Sequence, residues 1–228
     1  MTQPTARRAV VLGAHGGIGA AMVALLRARG DAVVALARDG TPAIDLTDEA
    51  SLANAAQVCG NGLDLVLDAT GFLHGAGFMP EKSFRQIDPA HMALSFAINA
   101  TGPALLMKHF LPRLARGRRA VFATLSARVG SITDNQLGGW MSYRAAKAAL
   151  NMLVRCAAIE LARTNPTALC VALHPGTVAT NLSAPFGKAG LDVVTPETAT
   201  ARLLTVIDAL TPAESGHLVD QNGEVLAF

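Results

Sequence analysis

The sequence predicts an α/β protein with one domain, in which helices cover both faces of an open, doubly wound parallel sheet. Short apolar runs such as Ala9–Leu12 alternate with helical patterns along the whole chain, as expected for parallel strands joined by helices. Apolar residues make up 51% of the 228 residues and charged residues only 16%, which is enough apolar material for a large core. Beyond this alternation no linker or repeat divides the sequence, so residues 1–228 form one predicted domain.

The predicted strands share a short, mostly apolar composition that is typical of strands buried on both faces of a sheet. They are Ala9–Leu12, Ala32–Ala37, Leu63–Leu67, Arg119–Leu125, Leu169–Leu173 and Leu218–Val219.

The predicted helices fill the intervals between the strands, and some carry start signals. Thr47 is predicted to cap one helix, because two acidic residues follow it in the first turn. Asp88-Pro89 begins a second helix that extends to about Ala115. Asn99 lies inside this second helix beside Gly102-Pro103, so we expect the helix to be distorted there. Further helices are predicted over residues 20–29, 142–161 and 196–210.

Charge and cysteine usage narrow the class of protein. A net charge of +2 is too small to indicate a nucleic-acid partner or a membrane surface. Ala9–Leu12 is too short for a signal-peptide core, and no apolar run reaches membrane-spanning length. Cys59, Cys156 and Cys170 fit no disulfide or metal pattern and are interpreted as small buried residues. We therefore expect a cytoplasmic protein without a metal site.

A glycine-rich turn follows the first predicted strand. Gly13, Gly17 and Gly19 have the spacing GxxxGxG and stand immediately before a helical pattern. Glycines allow a pyrophosphate to approach the backbone, and a helix N-terminus offers free N–H groups to it. This context predicts a Rossmann-type nucleotide-binding domain. His15 lies inside the turn and is interpreted as a loop residue near phosphate rather than as a catalyst.

The end of the second strand indicates which nucleotide is bound. NAD-binding sites usually place a carboxylate here to hold the ribose 2′-hydroxyl. This sequence has Ala37 at that position and Arg38 next, and a guanidinium there would accept the 2′-phosphate of NADP. The alternative is that Arg38 is merely exposed and Asp39 takes the ribose. Asp45-Leu46 is a candidate contact for the adenine amino group.

Two further segments are predicted to border the nucleotide. Asp68-Ala69-Thr70-Gly71 leaves the third strand, and Gly71 allows close backbone approach to a cofactor. Residues 182–195, with Phe186, are predicted to form a flap that supplies an apolar wall for a substrate.

Tyr143 and Lys147 are four residues apart in a predicted helix, so their side chains share one face. A nearby cation favours the phenolate and lowers the pKa of a tyrosine from about 10. Such a tyrosine can give a proton to a carbonyl oxygen or take one from an alcohol. Taken alone, the pair also fits an ordinary amphipathic helix.

The order of these motifs changes that interpretation. With the glycine turn, Asn99, the loop that begins at Ser126, the Tyr143–Lys147 pair and Pro175-Gly176 in this order, the chain resembles the short-chain dehydrogenase/reductase family over essentially its whole length. It is most similar to the branch of C-factor and sniffer-type carbonyl reductases. That closer likeness is carried by Leu125–Ile132, Ser142–Asn151 and Glu214–Gly223.

The resemblance implies an enzyme that transfers a hydride between a nicotinamide and a carbonyl or secondary alcohol. Tyr143 would be the acid or base, and Lys147 would lower its pKa and hold the nicotinamide ribose. Asn99 would hold a water that relays protons. Ser126 completes the expected catalytic set. The expected cofactor contacts are Gly13, His15, Gly17, Ile18, Gly19, Arg38, Asp45, Leu46, Ala69, Thr70, Gly71, Tyr143, Lys147, Pro175, Gly176, Val178 and Thr180.

The sequence departs from the family pattern at two positions. The family usually has a second serine after Ser126, and this chain has Ala127. Either Ser126 or Ser131 would have to polarise the substrate oxygen instead. Asp68 stands where the family commonly has asparagine, and it can brace the strand only as an acceptor.

The expected cofactor is NADP in preference to NAD, and the expected partner is a small carbonyl or alcohol. The alternative is an NADP-binding regulatory or signalling protein with little turnover, which Ala127 favours. The family often associates through the helices that here hold Asn99 and Lys147, so a homodimer or homotetramer is also expected.

Overall fold

A seven-stranded sheet forms the centre of the molecule in the computed structural model, which describes residues 6–75, 77–186, 190 and 192–228. The strands are β1 (Arg8–Leu12), β2 (Ala32–Leu36), β3 (Leu65–Asp68), β4 (Ala120–Leu125), β5 (Ala168–His174), β6 (Thr177–Val178), β7 (Val193–Val194), β8 (Leu218–Asp220) and β9 (Val225–Leu226). The helices are α1 (Gly17–Ala28), α2 (Glu49–Cys59), α3 (Pro89–Phe96), α4 (Gly102–Phe110), α5 (Met141–Thr164) and α6 (Pro196–Ala209).

The strand order β2-β1-β3-β4-β5-β8-β9 indicates where in the sheet a ligand would bind. All neighbouring pairs from β2 to β8 are parallel, and only the last pair, β8 and β9, is antiparallel. Leu12 is paired with Leu36 on one side and with Asp68 on the other, so three strands end together. The order reverses at β1, and ligands of open α/β sheets bind at such a reversal, beyond the carboxyl ends of the strands.

Alternate residues of the strands enter two separate cores. In β1, Val10 packs into the core beneath α2, α4 and α5, whereas Val11 packs into the core beneath α1 and α6. Successive strand residues face opposite sides, so one apolar run serves both cores. The predicted doubly wound α/β fold is confirmed.

Some predicted boundaries were wrong, and so was the burial predicted for the second strand: β2 lies at the edge of the sheet, and Ala32 and Val34 are exposed. The third strand begins at Leu65, and Leu63 only forms an isolated bridge with Leu114. The cap of α2 is Asp48, whose carboxylate accepts from Ala50 N at 2.9 Å, and not Thr47. Thr47 instead donates to Asp45, because a short side chain two residues before a helix can bond a nearby turn.

The predicted distortion around Asn99 is a π-helical turn. α3 passes into π-helix at Ala97–Thr101 and continues as α4 from Gly102. A Cβ on Gly102 would lie 2.8 Å from Cβ of Leu46, so only glycine lets the segment before α2 pack this closely. Single π turns inside α-helices occur frequently at functional sites.

Two other expectations concern cysteines and membranes. Cys59 and Cys170 are buried as predicted, but Cys156 is exposed, because it lies on the outer side of α5. Among the described residues, no helix combines the length and the apolar composition that crossing a bilayer requires.

Candidate active site

The predicted site residues come from segments that meet at the carboxyl edge of the sheet. The glycine turn follows β1, Ala69–Gly71 follows β3, the Ser126 loop follows β4, and Pro175-Gly176 follows β5. α5 then brings Tyr143 and Lys147 to the same edge, as the hydrogen bond from Lys147 to the last residue of β4 shows.

Close backbone packing explains the glycines of the turn. Gly13 has φ +76°, and a Cβ there would lie 2.9 Å from the carbonyl oxygen of Ala69. A Cβ on Gly17 would lie 2.8 Å from Cγ2 of Thr180. A Cβ on Gly19 would collide with the carbonyl of Gly13. Three predicted cofactor segments therefore meet around one glycine turn.

The same turn offers backbone donors to an anion. The first bond of α1 runs from Ala20 N to Gly16 O at 2.8 Å. The N–H groups of Gly17, Ile18 and Gly19 therefore precede the first residue that can find an acceptor within the helix. The glycine cradle and this positive helix end fit the pyrophosphate of a dinucleotide.

The predicted adenosine side of the turn carries exposed charges. Arg38 and Asp39 are both exposed after β2. His15 Nδ1 lies 2.7 Å from Asp39 Oδ1, and this hydrogen bond holds the pKa of Asp39 below its ordinary value. The side chain of His15 thus contacts Asp39, in addition to its place in the loop. Arg38 carries the charge beside this pair.

Asp45 and Leu46 follow the buried Ile44. One carboxylate oxygen of Asp45 accepts from N and Oγ1 of Thr47 at 2.8 and 2.7 Å, and these bonds lower its pKa. Leu46 is half-buried against Gly102. The adenine contact of these two residues stays a prediction.

Asp68 braces the strands beneath the site. It is buried and accepts from Thr70 N at 3.0 Å and from Thr124 Oγ1 at 2.7 Å. Burial raises the pKa of Asp68, while the two threonines and the charge of Lys147 oppose that rise. An acceptor alone is therefore sufficient to join β3 to β4 and to fix the turn that follows.

The side chain of Asn99 anchors the next loop. Its Oδ1 accepts from Phe72 N at 3.0 Å, and its Nδ2 donates to Phe72 O at 2.7 Å and to Ser95 Oγ at 3.3 Å. The π turn thus holds the backbone just beyond Gly71. The expected water relay stays a prediction.

Tyr143 and Lys147 lie together, but burial dominates their pKa values. Nζ of Lys147 is 5.8 Å from the centre of the Tyr143 ring and donates to Leu125 O at 2.8 Å. Lys147 is 3% exposed, and burial lowers its pKa to about 8, partly opposed by Asp68. Burial raises the pKa of the half-buried Tyr143 to about 12. The lowered tyrosine pKa that the spacing predicts is therefore wrong for the protein alone, because burial raises the pKa and Lys147 does not lower it in this geometry.

The two candidate hydroxyls are both engaged elsewhere. Ser126 is buried and donates to Asn151 Oδ1 at 2.7 Å, which turns its proton toward α5. Ser131 is also buried, accepts from Asp134 N at 3.2 Å and lies 3.3 Å from Thr133 Oγ1. This arrangement does not favour either serine as a free donor to a substrate oxygen.

One glycine in this loop had no assigned role in the sequence. A Cβ on Gly130 would lie 2.9 Å from both the carbonyl carbon and Cβ of Lys147. The loop after β4 therefore presses directly against α5 at Lys147, which helps to hold this side chain in place.

The turn after β5 leads into the predicted nicotinamide side. Gly176 has φ +77°, and Val178 is buried and pairs with Val194 in the small sheet of β6 and β7. Thr180 lies against Gly17, as described above. Part of the predicted flap, residues 187–189 and 191, lies outside the described residues.

An aromatic cluster next to Tyr143 was not predicted. Trp140 has a left-handed backbone, with φ +53°, and its ring meets Tyr143 edge-on at 6.4 Å between centres. Phe186 lies 4.9 Å from Trp140 and 5.6 Å from His74. His74 Nε2 in turn lies 3.1 Å from Asn181 O. The apolar wall expected from Phe186 is thus an aromatic surface built from three segments.

Comparisons with known proteins agree with this arrangement. A family model described as enoyl-(acyl carrier protein) reductase matches residues 13–209. A 1-hydroxy-2-glutathionyl-2-methyl-3-butene dehydrogenase of Rhodococcus sp. (strain AD45) is 34% identical and covers 96% of this chain and 98% of that protein. C-signal of Myxococcus xanthus is 35% identical over 74% of this chain and 95% of its own.

A solved structure is similar over nearly the whole length. NADPH-bound carbonyl reductase from chicken fatty liver superposes with a TM-score of 0.83 at 28% identity, covering 98% of this chain and 99% of its own.

Proposed function

Because the chain belongs to the short-chain dehydrogenase/reductase family, whose members are NAD(P)-dependent oxidoreductases, we propose that it uses NADP to interconvert a carbonyl compound and a secondary alcohol. The observation that carries this proposal is the buried cation of Lys147 beside Tyr143, at the edge of the sheet where the glycine turn lies. A pKa of about 8 leaves Lys147 mostly protonated at neutral pH, so it acts as a cation in reduction.

The protein residues and the cofactor have separate roles in the proposed reaction. When bound, the nicotinamide supplies or accepts the hydride. The backbone N–H groups of Gly17, Ile18 and Gly19 would hold the pyrophosphate of the dinucleotide. In reduction Tyr143 donates its phenolic proton to the carbonyl oxygen, and in oxidation it takes the proton of the alcohol. The half-buried Tyr143 has a raised pKa, so it can donate its proton in reduction only if Lys147 stabilises the phenolate that is left behind.

The charges at the adenosine side support NADP over NAD. Arg38 is exposed and free to meet a 2′-phosphate, whereas the carboxylate of Asp39 is held by His15. A guanidinium is well suited to bind phosphate in a bidentate manner. The chicken structure that resembles this chain contains NADPH, which agrees with this preference.

A titration with NADPH and NADH tests the cofactor proposal. Trp140 is the only tryptophan and contacts Tyr143, so its fluorescence is a natural readout. We expect NADPH to bind at least about tenfold more tightly than NADH. Equal binding would mean that Arg38 does not face the ribose, and binding of neither nucleotide would remove the basis of the proposal.

A panel of carbonyl compounds and alcohols tests the reaction. The aromatic surface of Trp140 and Phe186 favours substrates with a flat apolar part next to the carbonyl. The panel should include a glutathione-substituted secondary alcohol, because one relative is named for such a substrate. Absence of turnover with every member, in a protein that binds NADPH, would favour the second candidate function.

That second candidate is a nucleotide-binding regulatory protein with little turnover. Ala127 and the engagement of Ser126 with Asn151 favour it, because Ser126 directs its proton to Asn151 instead of to a substrate oxygen. The similarity to C-signal, which covers 74% of the chain, is compatible with it. A Tyr143→Phe variant separates the two: it abolishes the biological effect of an enzyme and leaves that of a nucleotide sensor intact.

We also propose that the protein is a homodimer or homotetramer. A groove of about 490 Å³ runs between α4 and α5, and apolar residues such as Met107 and Leu153 line it together with polar and charged ones such as Lys108 and Glu160. Met152 and Ile159 are exposed on α5. Light scattering of the purified protein measures this directly, and a monomer would contradict it. The cytoplasmic location stays a prediction.

A further inference from the structure

A buried carboxylate outside the expected catalytic set lies against the first turn of α5. Glu81 is 2% exposed and accepts a hydrogen bond from the hydroxyl of Ser142 on Oε1. Its other oxygen, Oε2, accepts from the backbone N–H of Ser142 at 3.3 Å. Nδ1 of His91 lies 3.3 Å from Oε1. Glu81 thus receives donors on both oxygens from the residue that directly precedes Tyr143.

The arrangement acts as a helix cap that is distant in sequence. The first turn of α5 contains no acidic residue, and the Trp140 side chain makes no capping bond. An anion at a helix N-terminus satisfies free N–H groups and opposes the positive end of the dipole. Burial works against ionisation, but the bonds from Ser142 and the nearby His91 lower the pKa of Glu81 below its ordinary value.

The cluster does not have the order of a hydrolytic triad. In the catalytic triad of a serine hydrolase, the imidazole lies between the serine hydroxyl and the carboxylate. Here the carboxylate stands between Ser142 and His91, and both of these residues are buried. The geometry therefore indicates that Glu81 has a structural role at the start of α5.

The backbone of Glu81 also holds Trp140. The N–H of Trp140 donates to the carbonyl of Glu81, at the residue whose left-handed φ of +53° is unfavourable for a non-glycine side chain. This backbone shape brings the indole edge-on to Tyr143. Glu81 therefore fixes the residues on either side of the helix start: Trp140 through its carbonyl and Ser142 through its carboxylate.

A chain of hydrogen bonds links this cap to Asn99. The carbonyl of Ser142 accepts from Ser95 Oγ at 3.2 Å, and Ser95 accepts from Asn99 Nδ2 at 3.3 Å. On the other side, His91 stacks on Phe78 at 4.9 Å between ring centres and meets Phe72 edge-on at 6.1 Å. The first turn of α5 and the π turn thus share one buried polar network.

We propose that Glu81 is a positioning residue for the Tyr143 proton transfer: its carboxylate, in contact with His91, holds the first turn of α5, and its backbone carbonyl holds Trp140, in the geometry needed for turnover. This inference rests on the proposed reductase function. It assigns no contact between Glu81 and substrate.

The test replaces Glu81 by glutamine and follows binding, turnover and tryptophan emission. In the variant, the amide nitrogen of glutamine replaces one carboxylate oxygen. This nitrogen is a donor, so it cannot accept a hydrogen bond from Ser142 or His91. We expect the Glu81→Gln variant to lose about tenfold or more in kcat, since small displacements of a catalytic group cost this much. The Kd for NADPH should stay within about twofold, because its pyrophosphate binds at α1. The matched control is Glu224→Gln, which removes an exposed carboxylate on the β8–β9 side of the sheet.

Trp140 gives a second readout that needs no substrate. In the Glu81→Gln variant, we expect its emission to shift to longer wavelength and its quenching by acrylamide to increase. Ser142→Ala is the milder variant, because the backbone N–H of Ser142 and the His91 contact remain, and it should show the same changes at smaller amplitude. Should Glu81→Gln fail to fold, Ser142→Ala alone decides the question.

The outcomes separate this inference from the proposed function. Loss of kcat with retained NADPH binding and altered Trp140 emission supports the positioning role. A folded variant with wild-type kcat and wild-type emission overturns it, as does a variant that merely unfolds at lower temperature without a change in kcat. If the wild type itself turns over no carbonyl, the proposed function fails, and unchanged Trp140 emission in the variants would overturn the positioning role as well.

Discussion

The two ends of the carboxyl edge of the sheet are built in opposite ways. At the proposed adenosine end, the paired side chains of His15 and Asp39 are 62% and 77% exposed, and Arg38 is exposed beside them. At the proposed catalytic end, Lys147 is 3% exposed, and Asp68, Asn99 and Ser126 are all buried. Exposed charges interact weakly and are screened by salt, whereas buried charges interact more strongly and are screened much less. The adenosine end can therefore be retuned by single substitutions, while the catalytic end functions as one network.

The largest effect should follow from Tyr143→Phe at the catalytic end. Removing the phenolic hydroxyl deletes the proton donor, and general acid catalysis is worth about 10² to 10⁴ in rate. We expect kcat to fall by about a thousandfold while the Kd for NADPH stays within about twofold. Steady-state kinetics and fluorescence titration measure the two quantities. A variant that retains a tenth of the wild-type rate would show that Tyr143 is not the acid.

The pH dependence of the free energy of unfolding also tests the burial of Lys147. The pKa of Lys147 is lowered by burial to about 8, from 10.5 in an unfolded chain. Between pH 8 and 10.5 the lysine is protonated in the unfolded chain but largely neutral in the folded protein. The free energy of unfolding therefore rises as the pH rises through this window, and it falls again as the pH falls to about 8. We expect the free energy of unfolding to rise by about 2 kcal/mol from pH 7.5 to 9.5 in the wild type, relative to Lys147→Met.

Urea unfolding at the two pH values, without nucleotide, measures this difference. Lys108→Met is the matched control, because Lys108 is an exposed lysine that pairs with Glu49. Its pH dependence should follow the wild type. Parallel pH profiles for the wild type and Lys147→Met would mean that Lys147 is not held in a desolvated site.

At the adenosine end, Arg38→Ala should convert the nucleotide preference. Loss of a charged hydrogen bond to the 2′-phosphate corresponds to about tenfold or more in Kd. We expect this loss for NADPH and almost none for NADH, which lacks the phosphate. Exposed charges are screened, so the preference of the wild type should also decrease as salt is raised. An equal loss for both nucleotides would place Arg38 on a group that they share.

These two ends were also predictable from the sequence to different degrees. The central strands were predicted closely, because a strand buried on both faces leaves an apolar run, as Leu169–Leu173 does inside β5. β2 also has an apolar run but is largely exposed, because it lies at the edge of the sheet. The family resemblance agreed with the fold, and the spacing of Tyr143 and Lys147 brought their side chains together. The direction of the Tyr143 pKa was not predictable, because burial depends on the segments packed over the helix and not on spacing.

Tertiary partners were the other part that the sequence did not reveal. Glu81 and Ser142 are separated by 61 positions, and no periodicity connects a loop residue with a distant helix start. The engagement of Ser126 with Asn151 depends on which way the chain turns as it leaves β4. Thr47 and Asp48 both suit a helix cap, and only the geometry of the turn at Asp45 decided between them.

The smallest expected effect tests the pairing of His15 with Asp39. His15→Ala frees the carboxylate of Asp39 beside Arg38, where it would repel a 2′-phosphate. Exposed ion pairs are weak, so we expect the Kd for NADPH to rise only about threefold, with little change for NADH. The double variant His15→Ala/Asp39→Asn should bind NADPH as the wild type does, because the repelling charge is gone. If the double variant binds as weakly as His15→Ala alone, His15 acts directly on the nucleotide, and the loss measures its own contact with phosphate.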